Sequence, residues 1–357
     1  SRYAPLGSTI DTQSGVWQVP ICVSFGADGD VGSSCAFLAE KTQSVSIGAT
    51  SCPDWVHPNA DGAGYYRFAL DDAGWRALID NADKLSASEA LVLVDSLDAA
   101  LWADRVTADN YVAAMTSLLQ HGAWDVKKSI VDSFDTTFRV IEGSDDATVR
   151  AHMSALLRPV YESLGTPDGA GEQLLKEELL RFLVITARDA QLRAPLLEQA
   201  SARIGLDGEP DRTAVPAGSL ESALSVGVQD IGEPFVTKLM EQVQASQDPT
   251  FRRAAVRALA RTEDPDLSAR LQSAVLEGNF KGTEAMGIVF RQMGRSATAY
   301  LTLRWLQDNW DPIVELIPET FRSRLLPAFG SYLCTSQQAD EWQAFIEGHG
   351  ADMPGYE

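Results

Sequence analysis

The chain changes its grammar once, at about residue 70, and that change limits the folds open to it. Before this point short apolar runs at 16–25, 35–38 and 45–47 are separated by Gly, Asp and Ser clusters. Gly26-Ala27-Asp28-Gly29-Asp30 and Asp61-Gly62 are turn signals, so the segment reads as short strands. Residues 65–70 read as a last strand, with Tyr65 and Arg67 on one face and Tyr66 on the other. After it, helical periodicity begins and does not stop.

Ser86-Ala87-Ser88-Glu89 has the form of a capping box, and Leu91, Val94, Leu97 and Leu101 follow on one helical face. Tyr111, Met115, Leu118 and Leu119 mark the next helix, Ile130, Phe134, Phe138 and Ile141 another, and Met153, Leu156, Leu157 and Val160 one more. Asp248-Pro249, Asp264-Pro265 and Asp311-Pro312 each read as a helix start, Asp capping the free amides and Pro filling the first helical position. Residues 248–277 then form a helix pair. Ala255, Val256, Leu259 and Ala260 face inward on its first helix, and Leu267, Leu271, Ala274 and Val275 on its second. Stacked pairs of this kind make a HEAT-like solenoid. The Gly- and Pro-rich stretch 205–218 reads as a loop.

The expected fold is therefore mainly α: a HEAT-like α-solenoid preceded by a small β-sandwich domain. The expected boundaries are 1–70 for the sandwich and 71–357 for the helical domain, since 357 residues exceed one ordinary domain.

A net charge of -21 argues against nucleic acid and against an anionic membrane surface as partners. No apolar run is long enough for membrane insertion. Cys22, Cys35, Cys52 and Cys334 show no Cys-x-x-Cys pair. A hairpin around Asp28-Gly29 would bring Cys22 near Cys35. A disulfide among Cys22, Cys35 and Cys52 would point to an oxidising compartment and an exported protein; buried free thiols are the equal alternative.

Asn59-Ala60-Asp61-Gly62-Ala63-Gly64-Tyr65-Tyr66-Arg67-Phe68 resembles the Asn-x(4)-Gly-Tyr-Tyr-Arg strand of zinc aminopeptidases of the aminopeptidase N type, with Trp55 standing where that family has Trp. Ser1-Arg2-Tyr3 resembles the tail of its Gln-x-Arg-Phe element, and Trp17-Gln18-Val19-Pro20-Ile21 its Trp-x-(Ile/Val)-Pro strand. Asp71, Trp75 and Leu78 match the opening of its helical domain, and residues 85–101 resemble the helix after it. The resemblance implies a C-terminal, non-catalytic region. Such a region caps and gates the active-site chamber, partners its own upstream catalytic domain and can receive the distal part of peptide substrates. The zinc would sit in that upstream domain.

The family's chemistry needs His-Glu-x-x-His. The four histidines, His57, His121, His152 and His349, include no pair four residues apart, and no Gly-x-Met-x-Asn motif occurs. Neither a nucleophile elbow nor a phosphate loop is present, and Asp28-Gly29-Asp30 lacks the Glu of a calcium loop. No catalytic, cofactor or metal residue is therefore assigned to this chain. His57 reads as a loop residue and His121 as a helix C-terminal residue.

Arg252, Arg253, Arg257, Arg261, Arg291, Arg295 and Arg304 concentrate basic charge in an acidic chain. Of these, Arg252, Arg257, Arg291 and Arg295 are candidates to hold a peptide carboxylate. The competing reading puts Arg253, Arg257 and Arg261 on one solvated helix face. Tyr65 and Arg67 are candidates for the domain junction, Arg67 through a bidentate carboxylate pair. Trp305, Trp310, Phe321 and Phe329 read as core rather than a substrate shelf. A free-standing HEAT-like interaction scaffold is the alternative function, and an enzyme with an unrecognised site a third.

Overall fold

The structure is a computed structural model, and it describes residues 4, 17–141, 146–317, 319–322, 325–333 and 335–349. Ser1-Arg2-Tyr3 and Cys334 lie outside the described residues, as do the side chains of Ile141 and Phe321. The chain is mainly helical after a small sheet. It forms two compact units, residues 1–134 with 162–178, and residues 135–161 with 179–357.

In the first unit the hairpin forms as expected. Strands β1 (Val19–Ala27) and β2 (Asp30–Leu38) pair antiparallel, and β3 (Trp55–His57) adds to the other side of β1. Asp28 and Gly29 both take positive φ, 55° and 87°, the two-residue turn whose twist suits a hairpin. The register sets Cys22 directly opposite Cys35, and the two are joined in a disulfide, whereas Cys52 is free and exposed. Residues 45–47, expected as a strand, make no ladder; Trp55–His57 takes the third place. The layer against this sheet, among the described residues, is helical.

Residues 65–70 belong to no sheet. The Tyr66 amide donates to the Gly64 carbonyl at 3.0 Å, and other backbone partners come from side chains. Asn59, 1% exposed, accepts from the Gly64 amide at 2.8 Å and donates to the Gly64 and Tyr66 carbonyls at 2.7 and 3.4 Å. Ser96 Oγ accepts from the Phe68 amide. The two-residue alternation survives without a ladder: Tyr65 and Arg67 point to solvent, while Phe68 is buried. Gly64 is required for space, because a Cβ there would sit 2.1 Å from the Tyr66 ring.

The helices start where caps were expected. Asp71 accepts from the Gly74 amide and opens Asp72–Asp80, whose Trp75 and Leu78 are buried. Ser86 and Glu89 form the full capping box of Ala87–Trp102. The buried face of that helix is Ala90, Leu93, Val94, Leu97 and Ala100; Leu91 and Leu101 are only half-buried, so the face is turned from the expected one.

Glu89 does more than cap. Its Oε1 accepts from Ser24 Oγ of β1 at 2.5 Å and from the Asp61 amide at 3.2 Å, while Oε2 accepts from the Ser86 amide at 3.0 Å. Burial works against its ionisation, but these hydrogen bonds outweigh it and hold the carboxyl below its ordinary range. His57 is not a loop residue. It ends β3 and is fully buried, with Nε2 donating to the Glu89 carbonyl at 3.0 Å and Nδ1 accepting from the Asn59 amide at 3.2 Å. His121 lies beyond the helix Ala108–Leu118 and makes the same pair of contacts, to the Leu85 carbonyl and the Ala123 amide.

In the second unit Asp248 and Asp264 cap Pro249–Leu259 and Pro265–Leu276, and all eight residues expected to face inward are buried. Asp311 is not a cap; Asn309 precedes the helix Trp310–Glu315, and Pro312 sits within its first turn, where no intrahelical amide is lost. Trp310 and Phe329 are core and Trp305 packs against it. The stretch 205–218 is a loop that leaves Ala190–Ile204 through a left-handed Gly205.

Two outcomes follow for stability. Glu89→Ala strands four donors, the hydroxyls of Ser24 and Ser86 and the amides of Asp61 and Ser86, and is expected to lower the unfolding free energy by about 3 kcal/mol in urea titrations, Glu89→Gln by about 1. Burial depresses the His57 pKa below 6.5, while the Glu89 charge and its hydrogen bonds oppose the shift. The unfolded chain then binds the proton that the folded chain refuses. Stability is full above pH 6.5 and falls as pH drops below it. His57→Gln is expected to flatten the difference between unfolding at pH 7.5 and at pH 5.5, to roughly that of the remaining carboxylates; an unchanged difference would count against the assignment.

Candidate functional site

Arg67 makes a bidentate carboxylate pair, with Nε and Nη2 donating to Asp95 Oδ2 and Oδ1 at 2.7 and 2.8 Å, and both residues lie within the first unit. Both side chains are half exposed, so the pair contributes at most about 1 kcal/mol. Tyr65 is fully exposed. Neither is among the residues that line the cavity described below.

The four candidate arginines separate by their partners. Arg252 is buried and bidentate to Glu284 at 3.0 and 2.7 Å, and its remaining nitrogen reaches the carbonyls of Val243 and Ser246. It ties the end of Glu233–Ala245 to the start of Gly282–Met293. Arg257 pairs with Glu221 at 3.1 Å, and Arg295 with Glu263 at 3.2 Å. Arg291 alone of the four makes no hydrogen bond or ion pair with any described residue.

Arg291 opens into a cavity of about 280 Å³ in the second unit. Asp135, Phe138 and Arg139 come from the helix Trp124–Ile141, and Thr186 from a buried π-helical turn, Phe182–Thr186. Phe290, Arg291, Gly294 and Arg295 come from the end of Gly282–Met293 and just beyond, and Arg261 and Tyr332 complete the lining. Such π turns displace one residue from helical register and often stand at functional sites. Here the turn sets Thr186 to donate to Asp135 Oδ1 at 2.8 Å.

Arg261 is the residue the sequence pattern misplaced. It was expected on a solvated face with Arg253 and Arg257. The helix ends at Leu259, so Arg261 leaves that face and lines the cavity, while Arg253 is exposed. The signal was present: Asp264-Pro265 starts the next helix, so the preceding one must end before its i+4 series reaches Arg261.

The charges in this cavity do not cancel. Asp135 stays ionised, because Arg181 at 3.6 Å and the Thr186 hydroxyl outweigh its burial. Arg295 is held by Glu263. Arg261 makes no side-chain hydrogen bond with any described residue, and its Nε is buried without an acceptor. Burial, with Arg295, Arg181 and Arg291 close by, pushes the Arg261 pKa down to about 9, which still leaves a cation at neutral pH. Burial likewise lowers that of Arg291. The nearby helix C-terminal ends favour cations, but none supplies a lone pair to the Arg261 Nε. The cavity can therefore accept an anion.

Both ring nitrogens of His57 and of His121 are engaged. Among the described residues no group of three or more His, Cys, Asp or Glu could hold a metal.

The partners predict opposite signs for two arginines. Arg252→Ala leaves Glu284 without its cation and is expected to cost about 3 kcal/mol. Arg261→Met removes an uncompensated buried cation and is expected to leave stability unchanged or raise it by about 1 kcal/mol. Thermal unfolding of the two variants beside the parent checks both signs.

The family comparison agrees with the order of elements described above. The sequence model of the ERAP1-like C-terminal domain matches residues 55–357, from the first residue of β3 through the whole helical array. The chain belongs to the ERAP1-like C-terminal domain family, the C-terminal domain of aminopeptidase-like proteins.

Proposed function

We propose that this chain is the non-catalytic cap of a zinc metallo-aminopeptidase, and that its helical array receives the distal, carboxylate end of a peptide whose N-terminal residue is removed in an upstream catalytic domain. The observation that carries the peptide-receiving role is Arg291. In a chain of net charge -21, it is a half-buried guanidinium facing a cavity whose carboxylate, Asp135, is taken by Arg181 and Thr186, and only the charge of Glu221, paired with Arg257, acts on it from a carboxylate. A cation left unpaired in this way costs stability, which is common where a site waits for a ligand. Charge-assisted contact with a terminal carboxylate would relieve it.

The absence of a His-Glu-x-x-His sequence supports the assignment of zinc and hydrolysis to the upstream domain. Closure of the cap over a bound peptide would gate access, as lids do elsewhere. Of the four arginines suggested by sequence, Arg252, Arg257 and Arg295 serve this reading only as structural pairs.

Fluorescence anisotropy of labelled peptides with this chain tests it. A peptide with a free carboxylate is expected to bind about tenfold or more tightly than its C-terminal amide. Arg291→Gln is expected to abolish the difference, and Arg253→Gln to keep it. Equal binding of acid and amide, or no binding of either, would contradict the proposal.

A further inference from the structure

We infer that the cavity lined by Arg261 and Arg291 is a binding site for a compact, doubly charged oxyanion of the phosphate class, which competes there with a peptide end. The inference rests on the preceding reading in one respect only: both engage Arg291.

The charge count is what asks for two negative charges. Asp135 is occupied by Thr186 and Arg181, and Arg295 by Glu263. Two guanidiniums remain, Arg261 and Arg291, without a hydrogen bond or ion pair to any described residue; the charge of Glu221 reaches both, but its carboxylate is paired with Arg257. A single carboxylate neutralises one and leaves the other buried beside it. A dianion neutralises both. Arg139, exposed on the rim, adds to the same positive field.

The donors agree with the charge. A tetrahedral oxyanion presents acceptors in several directions, and the buried Arg261 Nε is a donor lacking one. Two guanidinium forks on different elements, one after Pro249–Leu259 and one near the end of Gly282–Met293, suit such a group better than a planar carboxylate. Size agrees as well. At about 280 Å³ the cavity lies below the roughly 300 Å³ at which pockets for larger organic ligands begin. It has room for a small ion and its water, or for the last residue of a chain. The ion would join the helix Trp124–Ile141, the π turn and the two following helices, so its binding stabilises the second unit.

The test is thermal unfolding and calorimetric titration of the purified chain with inorganic phosphate, at ionic strength held constant with chloride. Phosphate is expected to raise the unfolding temperature saturably beyond matched chloride. Its affinity is expected to fall about tenfold or more in Arg291→Gln and in Arg261→Met, and to persist in Arg253→Gln. General salting stabilises all four proteins alike, so the difference between them reads the site. A response that is absent, or equal in the parent and in both cavity variants, overturns the inference. A labelled peptide separates this result from the previous one. If the peptide binds through its carboxylate and phosphate fails to displace it, the phosphate site is wrong and peptide capture stands. If phosphate binds and no peptide does, the site stands and peptide capture falls.

Discussion

A single carboxylate, that of Glu89, joins the strands to the helices in the first unit. It accepts from Ser24 on β1, from the turn at Asp61 and from the amide at Ser86 that begins Ala87–Trp102. A buried charge is tolerable only when its lone pairs are filled, and here three separate segments fill them. The backbone carbonyl of the same residue then receives His57, and the Leu85 carbonyl four residues earlier receives His121. The start of one helix thus anchors the last strand, the extended motif behind it and the loop after Ala108–Leu118. Asn59 closes the arrangement by replacing a missing strand partner.

The second unit follows the same rule with arginine, and then breaks it. Arg252 clamps two helices through Glu284 and two carbonyls. Arg188 and Arg295 share Glu263, and Arg193 reaches Asp230 together with the Val184 carbonyl. Against that background Arg261 and Arg291 stand out. Arg203, also buried, lies over the Phe251 ring, whereas Arg261 and Arg291 both face one cavity. Stability would favour apolar residues at both positions, so their presence points to a ligand that supplies the missing charge.

Most of the fold was legible from local chemistry. The Asp248-Pro249 and Asp264-Pro265 starts, the Ser86–Glu89 box and the Asp28-Gly29 turn each act within four residues, and each formed, whereas Asp311-Pro312 fell inside a helix that begins at Trp310. The helix pair at 248–277 was legible because its apolar period and both of its caps agree. What failed depended on distant partners. Residues 65–70 have a strand's alternation, but Asn59 and Ser96 took the hydrogen bonds that would have built a ladder. His57 precedes a proline and reads as a loop, yet a carbonyl 32 residues away holds it in the core. The candidate site was legible only in part. Sequence singled out Arg291 among four arginines, but nothing local distinguishes it from Arg252, whose partner Glu284 lies 32 positions away. Arg261 was missed because an i+4 series was carried past the end of its helix.

The most direct test uses the chain joined to the upstream catalytic domain that the account proposes, with Arg291→Gln compared against the parent on two substrates. One is a long peptide with a free carboxylate and the other a single aminoacyl fluorophore. The account predicts that kcat/KM falls about tenfold for the long peptide and is unchanged for the small substrate, because only the peptide reaches the cavity. Equal loss on both substrates, or no loss on either, would contradict it.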